Sequence, residues 1–368
     1  MKKKIVLIHG NDGSDVRVGK ICRSISNEGF RMFFIGWDRR PNEKKEVELG
    51  TTDRRILIYK TMHGRISIKG FFRFLLFSIN QLRVIKPDVV IVVNEEMIPF
   101  FLFLRGLFYD KLVCDVFDSL HFRVRSKKLI IKFLTKFITK IALHMSDLVV
   151  FTDTRRRKML KNIKLMRKTI VIPNTPEDPG VKLSQQYPDG LPKVFVGGTL
   201  NEGRGIKILL DAIEGLNTNV EIISCGWVYD SFTENIFLRH PKVSYLGIVS
   251  AQEALQIASR CDAIFAFYEP TTTNNILASP NKLWDAMAIG RPLIVNSEIE
   301  IAKDVQKNRM GWVCPYYDVE KLRQILNDLS IHRKDLSTFA KKARNLYKDF
   351  GSWDSHIKKL IKWIEKNA

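Results

Sequence analysis

The sequence predicts an α/β protein of two doubly wound domains, each a parallel sheet covered by helices. Short β-branched runs without polar alternation recur along the chain, as in strands that are buried on both faces. Segments of helical periodicity separate these runs, which is the βαβ pattern of Rossmann-like folds. Five prolines between Pro173 and Pro192 interrupt the pattern midway along the 368 residues, and this length suits two domains.

The elements follow in order. In the first half we expect helices at Val18–Glu28 and Phe71–Val84 and strands at Ile5–Ile8, Arg31–Ile35, Ile56–Tyr59, Val89–Val93, Leu112–Asp115, Leu148–Phe151 and Thr169–Ile172. In the second half we expect strands at Val194–Val196, Val220–Ser224, Ala263–Phe267 and Leu293–Asn296, and helices at Gly205–Gly215, Gln252–Ser259, Leu283–Ile289 and from about Val319 onward. The predicted boundaries are 1–176, a linker at 177–192, 193–350, and a last helix at 351–368 that crosses back to the N-terminal domain.

Composition excludes several classes of protein. A hydrophobic content of 45% with 27% charged residues is that of a globular protein. The five cysteines are scattered and never spaced as CxxC, which argues against a disulfide framework or a zinc site and favours a reducing cytosol. The apolar run Ile5–Ile8 behind three lysines is too short for a signal peptide, and no apolar run reaches the ~18–20 residues of a membrane span.

The charge is strongly uneven. Residues 1–176 hold 36 Lys and Arg against 16 Asp and Glu, so that nearly all of the net charge of +21 lies in the first half. Such a domain is expected to meet an anionic partner: nucleic acid, anionic lipid or a phosphorylated substrate.

One segment of this half is both basic and apolar. Between 127 and 143 a lysine recurs every four residues among aliphatic and aromatic residues; the four are Lys128, Lys132, Lys136 and Lys140. This spacing places the lysines along one side of a helix. Two interpretations remain open: a membrane-surface helix, or a surface helix that packs its apolar side on the sheet while its lysines are solvated.

Two segments of the second half suit an anionic ligand. The glycine-rich stretch 197–205, between a strand and a helix, holds Arg204, and such a turn either binds phosphate or is simply tight. It matches neither the P-loop nor the dinucleotide fingerprint. In the stretch 279–292 a polar loop opens a helix, so that the free N–H groups of Asn281 and Lys282 face an anion. One turn in, Asp285 either grips a vicinal diol or only complements the helix dipole.

The stretch 279–292, Ser-Pro-Asn-Lys-Leu-Trp-Asp-Ala-Met-Ala-Ile-Gly-Arg-Pro, resembles the donor-site signature of retaining GT-B glycosyltransferases of the family 4 type. Other segments match that family in order: Asp15-Val-Arg17, Val171-Ile-Pro-Asn174, Gly203-Arg-Gly205, Val243-Ser-Tyr-Leu-Gly247 and Ser352-Trp353. The resemblance implies two Rossmann-like domains with the active site in the cleft between them.

The resemblance also implies residue roles. Arg204 would neutralise the donor diphosphate beside the loop of Ser279, Asn281 and Lys282, and Asp285 would hold the ribose hydroxyls. Gly226 and Gly247 would complete the donor site at the base, and Gly13 would let the N-terminal domain close over the phosphates. No metal or other cofactor is expected, because arginine, lysine and helix dipoles replace the cation.

Two positions depart from the family pattern. The first acid of the donor signature falls on Leu277, so we expect Glu269, or Asn274 and Asn275, to contact the sugar. The N-terminal histidine of the family falls on Phe117, which leaves Asp118 and His121 as catalytic candidates together with Glu269.

The sequence and this resemblance together predict a metal-independent hexosyltransferase that moves a sugar from a nucleotide diphosphate sugar to a hydroxyl acceptor. The resemblance alone implies retention of the anomeric configuration. The expected acceptor is a lipid-linked or polysaccharide-precursor saccharide, with the protein cytoplasmic and peripheral to the inner face of the cell membrane. Its expected partners are the donor, the acceptor and an anionic membrane surface, without nucleic acid. One alternative is a nucleotide-sugar epimerase of the same fold, which needs acid/base carboxylates and histidines in the cleft, and this chain is poor in cleft histidines. The other is a basic nucleic-acid-binding protein, for which no reader motif is visible.

Overall fold

The structure is a computed structural model that describes residues 2–39, 49, 55–61, 67–124, 128–158, 168–180, 190–216, 220–277, 281–331 and 336–368. The chain forms two compact units. Unit 1 comprises Met1–Pro173 with Asp354–Ala368, and unit 2 comprises Asn174–Trp353.

Unit 1 is built on a parallel sheet of seven strands in the order β3-β2-β1-β4-β5-β6-β7. The strands are β1 (Lys4–His9), β2 (Arg31–Asp38), β3 (Ile56–Lys60), β4 (Val89–Val93), β5 (Lys111–Val116), β6 (Leu148–Phe151) and β7 (Thr169–Val171). All seven predicted strands are confirmed. The central ones, β1 and β4 to β6, are almost wholly buried, which explains why their sequences show no polar alternation.

Helices connect these strands. They are α1 (Val16–Asn27), α2 (Ile68–Ile85), α3 (Ile98–Leu102), α4 (Leu120–Arg123), α5 (Leu129–Met145) and α6 (Thr154–Lys158). The side chain of Asp15 caps α1 by accepting hydrogen bonds from the N–H groups of Arg17 and Val18. Buried side chains of α2, α3 and α5 form one hydrophobic cluster with the strands, so these three helices cover the sheet together.

Unit 2 contains a parallel sheet of six strands in the order β10-β9-β8-β11-β12-β13. The strands are β8 (Lys193–Leu200), β9 (Glu221–Val228), β10 (Val243–Tyr245), β11 (Ala263–Ala266), β12 (Leu293–Asn296) and β13 (Gly311–Cys314). The four predicted strands are confirmed, and β10 coincides with a segment that the resemblance identified. The edge strand β13 was not predicted, because it is short, starts with glycine and is only partly buried.

The helices of unit 2 are α7 (Ile206–Glu214), α8 (Ala251–Ser259), α9 (Thr273–Ile276), α10 (Asn281–Ile289), α11 (Ala302–Lys307), α12 (Val319–Ile331) and α13 (Leu336–Phe350). The last helix, α14 (Trp353–Asn367), belongs to unit 1 from Asp354 onward, where the Lys3 ammonium donates to the Glu365 carbonyl at 3.0 Å. No helix in the described ranges is long and apolar enough to cross a membrane.

The strand order of each sheet indicates where a ligand would bind to that unit. In unit 1 the order reverses between β1 and β4, and in unit 2 it reverses between β8 and β11. In open parallel sheets the loops diverge at such a switch point and leave a crevice beyond the carboxyl ends of the strands. We therefore expect the predicted donor site at the loops that follow β8 and β11.

Candidate functional site

Glycines let the backbone of β8 and β9 approach closely at the carboxyl end of the unit 2 sheet. Gly198 pairs with Gly226, and a Cβ atom on Gly226 would lie 2.0 Å from the Gly198 carbonyl oxygen. The Gly226 N–H donates to the Gly247 carbonyl at 2.9 Å, and its own carbonyl accepts from the Tyr245 hydroxyl at 2.7 Å. The structure thus brings Gly226 and Gly247 together, and this close packing by itself requires a glycine at 226.

A short 3₁₀ turn, Glu202–Arg204, leads from β8 into α7. Gly205 joins the two helical segments with a φ of 71°, in the left-handed region that favours glycine. A Cβ atom there would lie 2.6 Å from the Cβ of Phe267. The glycine-rich sequence is therefore a tight turn packed on the loop after β11, and the same turn holds Arg204 at the switch point.

The Arg204 guanidinium lies flat against an aromatic ring. Its Cζ atom is 3.9 Å from the centroid of the Tyr268 ring, a cation–π contact. Its Nη1 atom is buried and has no hydrogen-bond partner among the described residues. Burying a guanidinium N–H group without a hydrogen-bond acceptor costs free energy, and an anionic ligand would supply the missing acceptor. This nitrogen therefore points to an anionic ligand.

Lys282 and Asp285 form an ion pair one turn apart on α10. The Lys282 Nζ atom lies 3.0 Å from Asp285 Oδ2, and the side chains are only 17% and 19% exposed. Burial lowers the pKa of Lys282, but the Asp285 carboxylate more than offsets this effect and the pKa is raised. Tyr268 also acts on the Lys282 charge, so both cations neighbour the same tyrosine.

A hydrogen-bond network that the sequence did not indicate holds Tyr268 in place. The Asn296 side chain, fully buried at the end of β12, accepts from the Tyr268 N–H at 2.8 Å and donates to its carbonyl at 3.1 Å. The same amide donates to Glu298, whose carboxylate accepts from the Tyr316 N–H at 3.0 Å. Asn296 and Glu298 belong to no recognisable motif, and only the adjacency of β11, β12 and β13 reveals them.

Glu269 lies beside the turn that carries Arg204. Its N–H donates to the Gly203 carbonyl at 2.9 Å, and its own carbonyl accepts from the Asn275 side chain at 2.8 Å. Burial raises the pKa of the nearby Tyr316 to about 12; the Glu269 charge adds to this and Arg204 opposes it. The charges of Glu269 and Arg204 thus both lie close enough to Tyr316 to affect its pKa.

The remaining donor residues are placed less fully. Asn281 is the first residue of α10 and is exposed, while Ser279 lies outside the described residues. Arg204 and Lys282 both lie near Tyr268, Asp285 pairs with Lys282, and the Glu269 backbone contacts the turn that carries Arg204. The structure thus brings these four predicted residues together.

In unit 1, Gly13 lies in the loop between β1 and α1 with a φ of 95°. The Asp12 carboxylate accepts from both the N–H and the hydroxyl of Ser14, at 3.0 and 2.6 Å. The loop is thus ordered by its own side chains at the switch point of this sheet.

Arg17 forms a buried ion pair in unit 1. Its guanidinium contacts both Asp115 carboxylate oxygens, at 3.0 and 3.3 Å, and donates to the Ile172 carbonyl at 2.7 Å. Both charged side chains are 1% exposed. Two of the matched segments, 15–17 and 171–174, therefore meet in space and tie α1 to the ends of β5 and β7.

Asp118 follows β5, and its N–H donates to the Asn94 side chain at 3.2 Å. The neighbouring Glu95 is fully buried, where it accepts from Ser119 and the Leu120 N–H, and burial raises its pKa. His121 lies on α4, but its side chain is outside the described part of the structure.

The sequence did not indicate His9, which ends β1. Its Nδ1 atom is buried and has no hydrogen-bond partner in the described part of the chain, and its ring lies 5.7 Å from that of Phe117, centroid to centroid. The position that the resemblance assigns to a histidine therefore contacts a histidine at the end of β1, although β4 lies between β1 and β5 in the sheet.

The four lysines fall on α5 as predicted, with Lys128 at its N-cap and Lys132, Lys136 and Lys140 exposed along it. The apolar side is divided between the two interpretations. Its C-terminal part, with Ala142 and Leu143, packs on the sheet, whereas Phe133 and Phe137 are exposed.

Within the described residues no group of histidine, cysteine or carboxylate side chains is arranged to hold a metal ion. All five cysteines are buried as free thiols.

The part of the chain that carries Arg204 and Asp285 resembles a known protein family. Residues 192–332 match the family model of glycosyl transferases group 1. This segment is similar to a group 1 glycosyl transferase domain. The match supports sugar transfer as the activity, and it covers most of unit 2. No curated protein matches the chain by sequence.

Solved structures match the whole chain. Sucrose-phosphate synthase from Thermosynechococcus elongatus has a TM-score of 0.73 at 14% identity, covering 99% of both chains. Anabaena HepE in complex with UDP and glucose has a TM-score of 0.68 at 12% identity, covering 99% of this chain and 100% of its own. WaaG, a glycosyltransferase involved in lipopolysaccharide biosynthesis, has a TM-score of 0.68 at 13% identity, covering 97% and 98%. The predicted GT-B fold of two Rossmann-like domains is confirmed.

Proposed function

We propose that this protein transfers a hexosyl group from a nucleotide diphosphate sugar to a hydroxyl acceptor, with retention of configuration at the anomeric carbon. The observation that carries the proposal is the Arg204 guanidinium, stacked on Tyr268 with a buried Nη1 that lacks a partner among the described residues. A diphosphate oxygen would complete this nitrogen with a charge-assisted hydrogen bond. Retention rests on the resemblance to the family 4 type alone.

The donor would be a nucleotide diphosphate sugar bound by unit 2. Anabaena HepE, of the same fold, has been solved with UDP and glucose and with UDP-glucose. In this chain Lys282 adds a second cation near Tyr268, and Asp285 Oδ1 remains for the ribose hydroxyls while Oδ2 accepts from Lys282. The backbone around Gly226 and Gly247 would face the base.

Catalysis would rest on stabilising the departing diphosphate. Arg204 and Lys282 supply fixed positive charge in a half-buried setting, where such charge is worth more than in water. We propose that no metal ion takes part, since these groups occupy the role of a cation. Glu269 would contact the sugar, and Asp118 and His121 of unit 1 stay as catalytic candidates for positioning the acceptor hydroxyl.

The acceptor would be a lipid-linked or polysaccharide-precursor saccharide, bound by unit 1 at the inner face of the cell membrane. The excess of Lys and Arg in residues 1–176 suits an anionic lipid diphosphate and an anionic membrane surface. WaaG, with the same fold, is involved in lipopolysaccharide biosynthesis. These two observations support a role in polysaccharide assembly for a cytoplasmic, peripheral protein.

A two-step experiment tests the proposal. First, a thermal-shift screen of UDP, GDP, ADP and TDP and their hexose conjugates identifies the donor, since a ligand of the native state raises Tm. The selected donor is then incubated with lipid-diphosphate saccharides, and the product anomer is assigned by NMR. Transfer with the donor's anomeric configuration is expected. Epimerisation of the donor without an acceptor, or no stabilisation by any nucleotide, would contradict the proposal.

A further inference from the structure

The exposed apolar side chains of unit 1 are concentrated on its outer helical surface. On α5, Leu129 is 82% exposed, Phe133 71% and Phe137 51%, and the two phenylalanine rings stack with their centroids 6.4 Å apart. The sheet-facing side of the helix is formed instead by Thr135, Ala142 and Leu143. The N-terminal half of α5 thus presents to solvent the side chains that a core helix would bury.

The surface continues across two neighbouring helices. α3 packs against α5, and the turn that follows α3 exposes Phe103 by 88% and Leu107 by 67%. On α3, Phe100 contacts Phe71 and Phe72 of α2, with ring centroids 5.8 and 6.0 Å apart. The outer surface of α2, of α3 with the turn that follows it, and of α5 is therefore one continuous apolar surface, which we call the outer face.

The helices of the outer face carry charges of one sign. The sequences of α2, α3 and α5 contain no aspartate or glutamate. Exposed cations lie among the apolar side chains: Lys132, Lys136 and Lys140 on α5, and Lys69 and Arg73 on α2. Protein partners rarely select such a surface, since lysine is depleted at the core of protein interfaces whereas aromatic residues are enriched there. An anionic bilayer accepts both groups, with phenylalanine among the acyl chains and lysine at the headgroups.

We propose that the outer face of α2, α3 and α5 is a membrane-docking surface, which inserts its aromatic and aliphatic side chains into an anionic bilayer while the α5 lysines contact the headgroups. Attachment is then apolar as well as electrostatic, and it extends beyond the four lysines of α5. The surface brings unit 1 to the proposed lipid-linked acceptor, and in this respect the inference rests on the proposed function.

Insertion can be measured with a fluorophore at a chosen position. All five native cysteines are buried, so a cysteine introduced as Phe137→Cys or Phe103→Cys is the accessible site for an environment-sensitive dye. Ile331→Cys serves as the matched control, because Ile331 is 68% exposed but lies in unit 2. With phosphatidylglycerol vesicles we expect enhanced emission at positions 137 and 103 and quenching by nitroxides attached to the acyl chains. No change is expected at position 331 or with phosphatidylcholine vesicles.

Two sets of substitutions separate the apolar and electrostatic contributions. In Phe103→Ser/Phe133→Ser, each phenylalanine removed should lower partitioning onto phosphatidylglycerol vesicles about tenfold. In Lys132→Gln/Lys136→Gln/Lys140→Gln, binding should fall at low salt and match the parent at high salt, where the charges are screened. The control pair Ile236→Ser/Ile331→Ser should bind as the parent does.

Three results would overturn the inference. One is that the phenylalanine double variant partitions onto vesicles as strongly as the parent. Another is that the emission of the dye at position 137 does not change when vesicles are added. The third is enhancement that rises with protein concentration without lipid, which would assign the outer face to a second copy of this chain. Vesicle binding is measured without donor or acceptor, and nucleotide binding by unit 2 is measured on the same variants. A failure of docking is therefore distinguishable from a failure of the proposed sugar transfer.

Discussion

Replacing Arg204 by alanine should separate ligand binding from folding. The guanidinium Nη1 has no partner among the described residues, so its removal breaks no known hydrogen bond of that atom in the unliganded protein. The substitution does remove the cation–π interaction with the Tyr268 ring at 3.9 Å, which is worth about 0.5–2 kcal/mol depending on its desolvation. The melting temperature should therefore fall by only a few degrees, since about 1 kcal/mol shifts Tm by roughly 2–4 °C in a domain of the size of unit 2.

Ligand binding should suffer more. A diphosphate that contacts Arg204 gains a charge-assisted hydrogen bond of about 1.5–3 kcal/mol, so its loss should weaken nucleotide affinity roughly 10- to 150-fold. Isothermal titration calorimetry with the nucleotide chosen by the thermal-shift screen measures this loss. A diphosphate should lose more affinity than the corresponding monophosphate.

Two controls make this result specific. Arg204→Lys retains the charge without the planar fork of donors, and it should recover part of the affinity. Arg239→Ala removes a cation from the same unit at a position to which we assign no ligand. Parental diphosphate affinity in folded Arg204→Ala would refute the assignment of this residue to the donor phosphates.

Three further predictions concern the donor pocket, the absence of a metal and the core of unit 1. Asp285→Asn should weaken nucleotides with an intact ribose more than 2′,3′-modified ones, and equal losses in a competition assay would argue against a ribose contact. Sugar transfer should survive excess EDTA, and a loss that magnesium restores would show that a cation takes part. Asp115→Asn removes the carboxylate charge from the buried Arg17–Asp115 ion pair, so we expect urea denaturation to show a loss of about 3–5 kcal/mol in the free energy of unfolding. A loss below about 1 kcal/mol would mean that the pair is not the structural link between α1 and β5.

The sequence predicts the strands well because parallel strands carry a strong local signal. Buried runs such as Val89–Val93 are apolar throughout, and no helical period competes with them. Edge strand β13 lacks this signal, because it pairs along one side only and its first residue is a glycine. It is stabilised by pairing with β12, which local sequence does not encode.

The candidate donor site was predictable where it coincides with a turn or a helix start. Arg204 and Asp285 stand at such places, and the glycines around Arg204 mark the turn. Asn296 and Glu298 do not, because their role arises from the lateral order of β11, β12 and β13. A buried asparagine at a strand end was the available signal, but many strands end in this way.

The exposed half of α5 shows another limit of pattern analysis. The period of four correctly placed the lysines on one side of the helix. The pattern of apolar residues, however, does not indicate which of them other parts of the protein cover. In the structure Ala142 and Leu143 are covered by unit 1, whereas Phe133 and Phe137 are not. How much of α5 the sheet can cover depends on the neighbouring helices. Only the fold therefore shows that the C-terminal half of α5 is buried and the N-terminal half is exposed.

The loop between β1 and α1 is held at both ends. β1 lies in the middle of its sheet, the first turn of α1 is anchored by Arg17, and Asp12 and Asp15 bind the backbone between them. Ordering a flexible segment on binding would oppose association by about 1–2 kcal/mol for each residue fixed. Here that loss of conformational entropy occurs during folding, so any ligand of this loop meets a surface that is already formed. The Ser14 amide, which donates to Asp12, should therefore exchange slowly before a ligand arrives and change little afterwards.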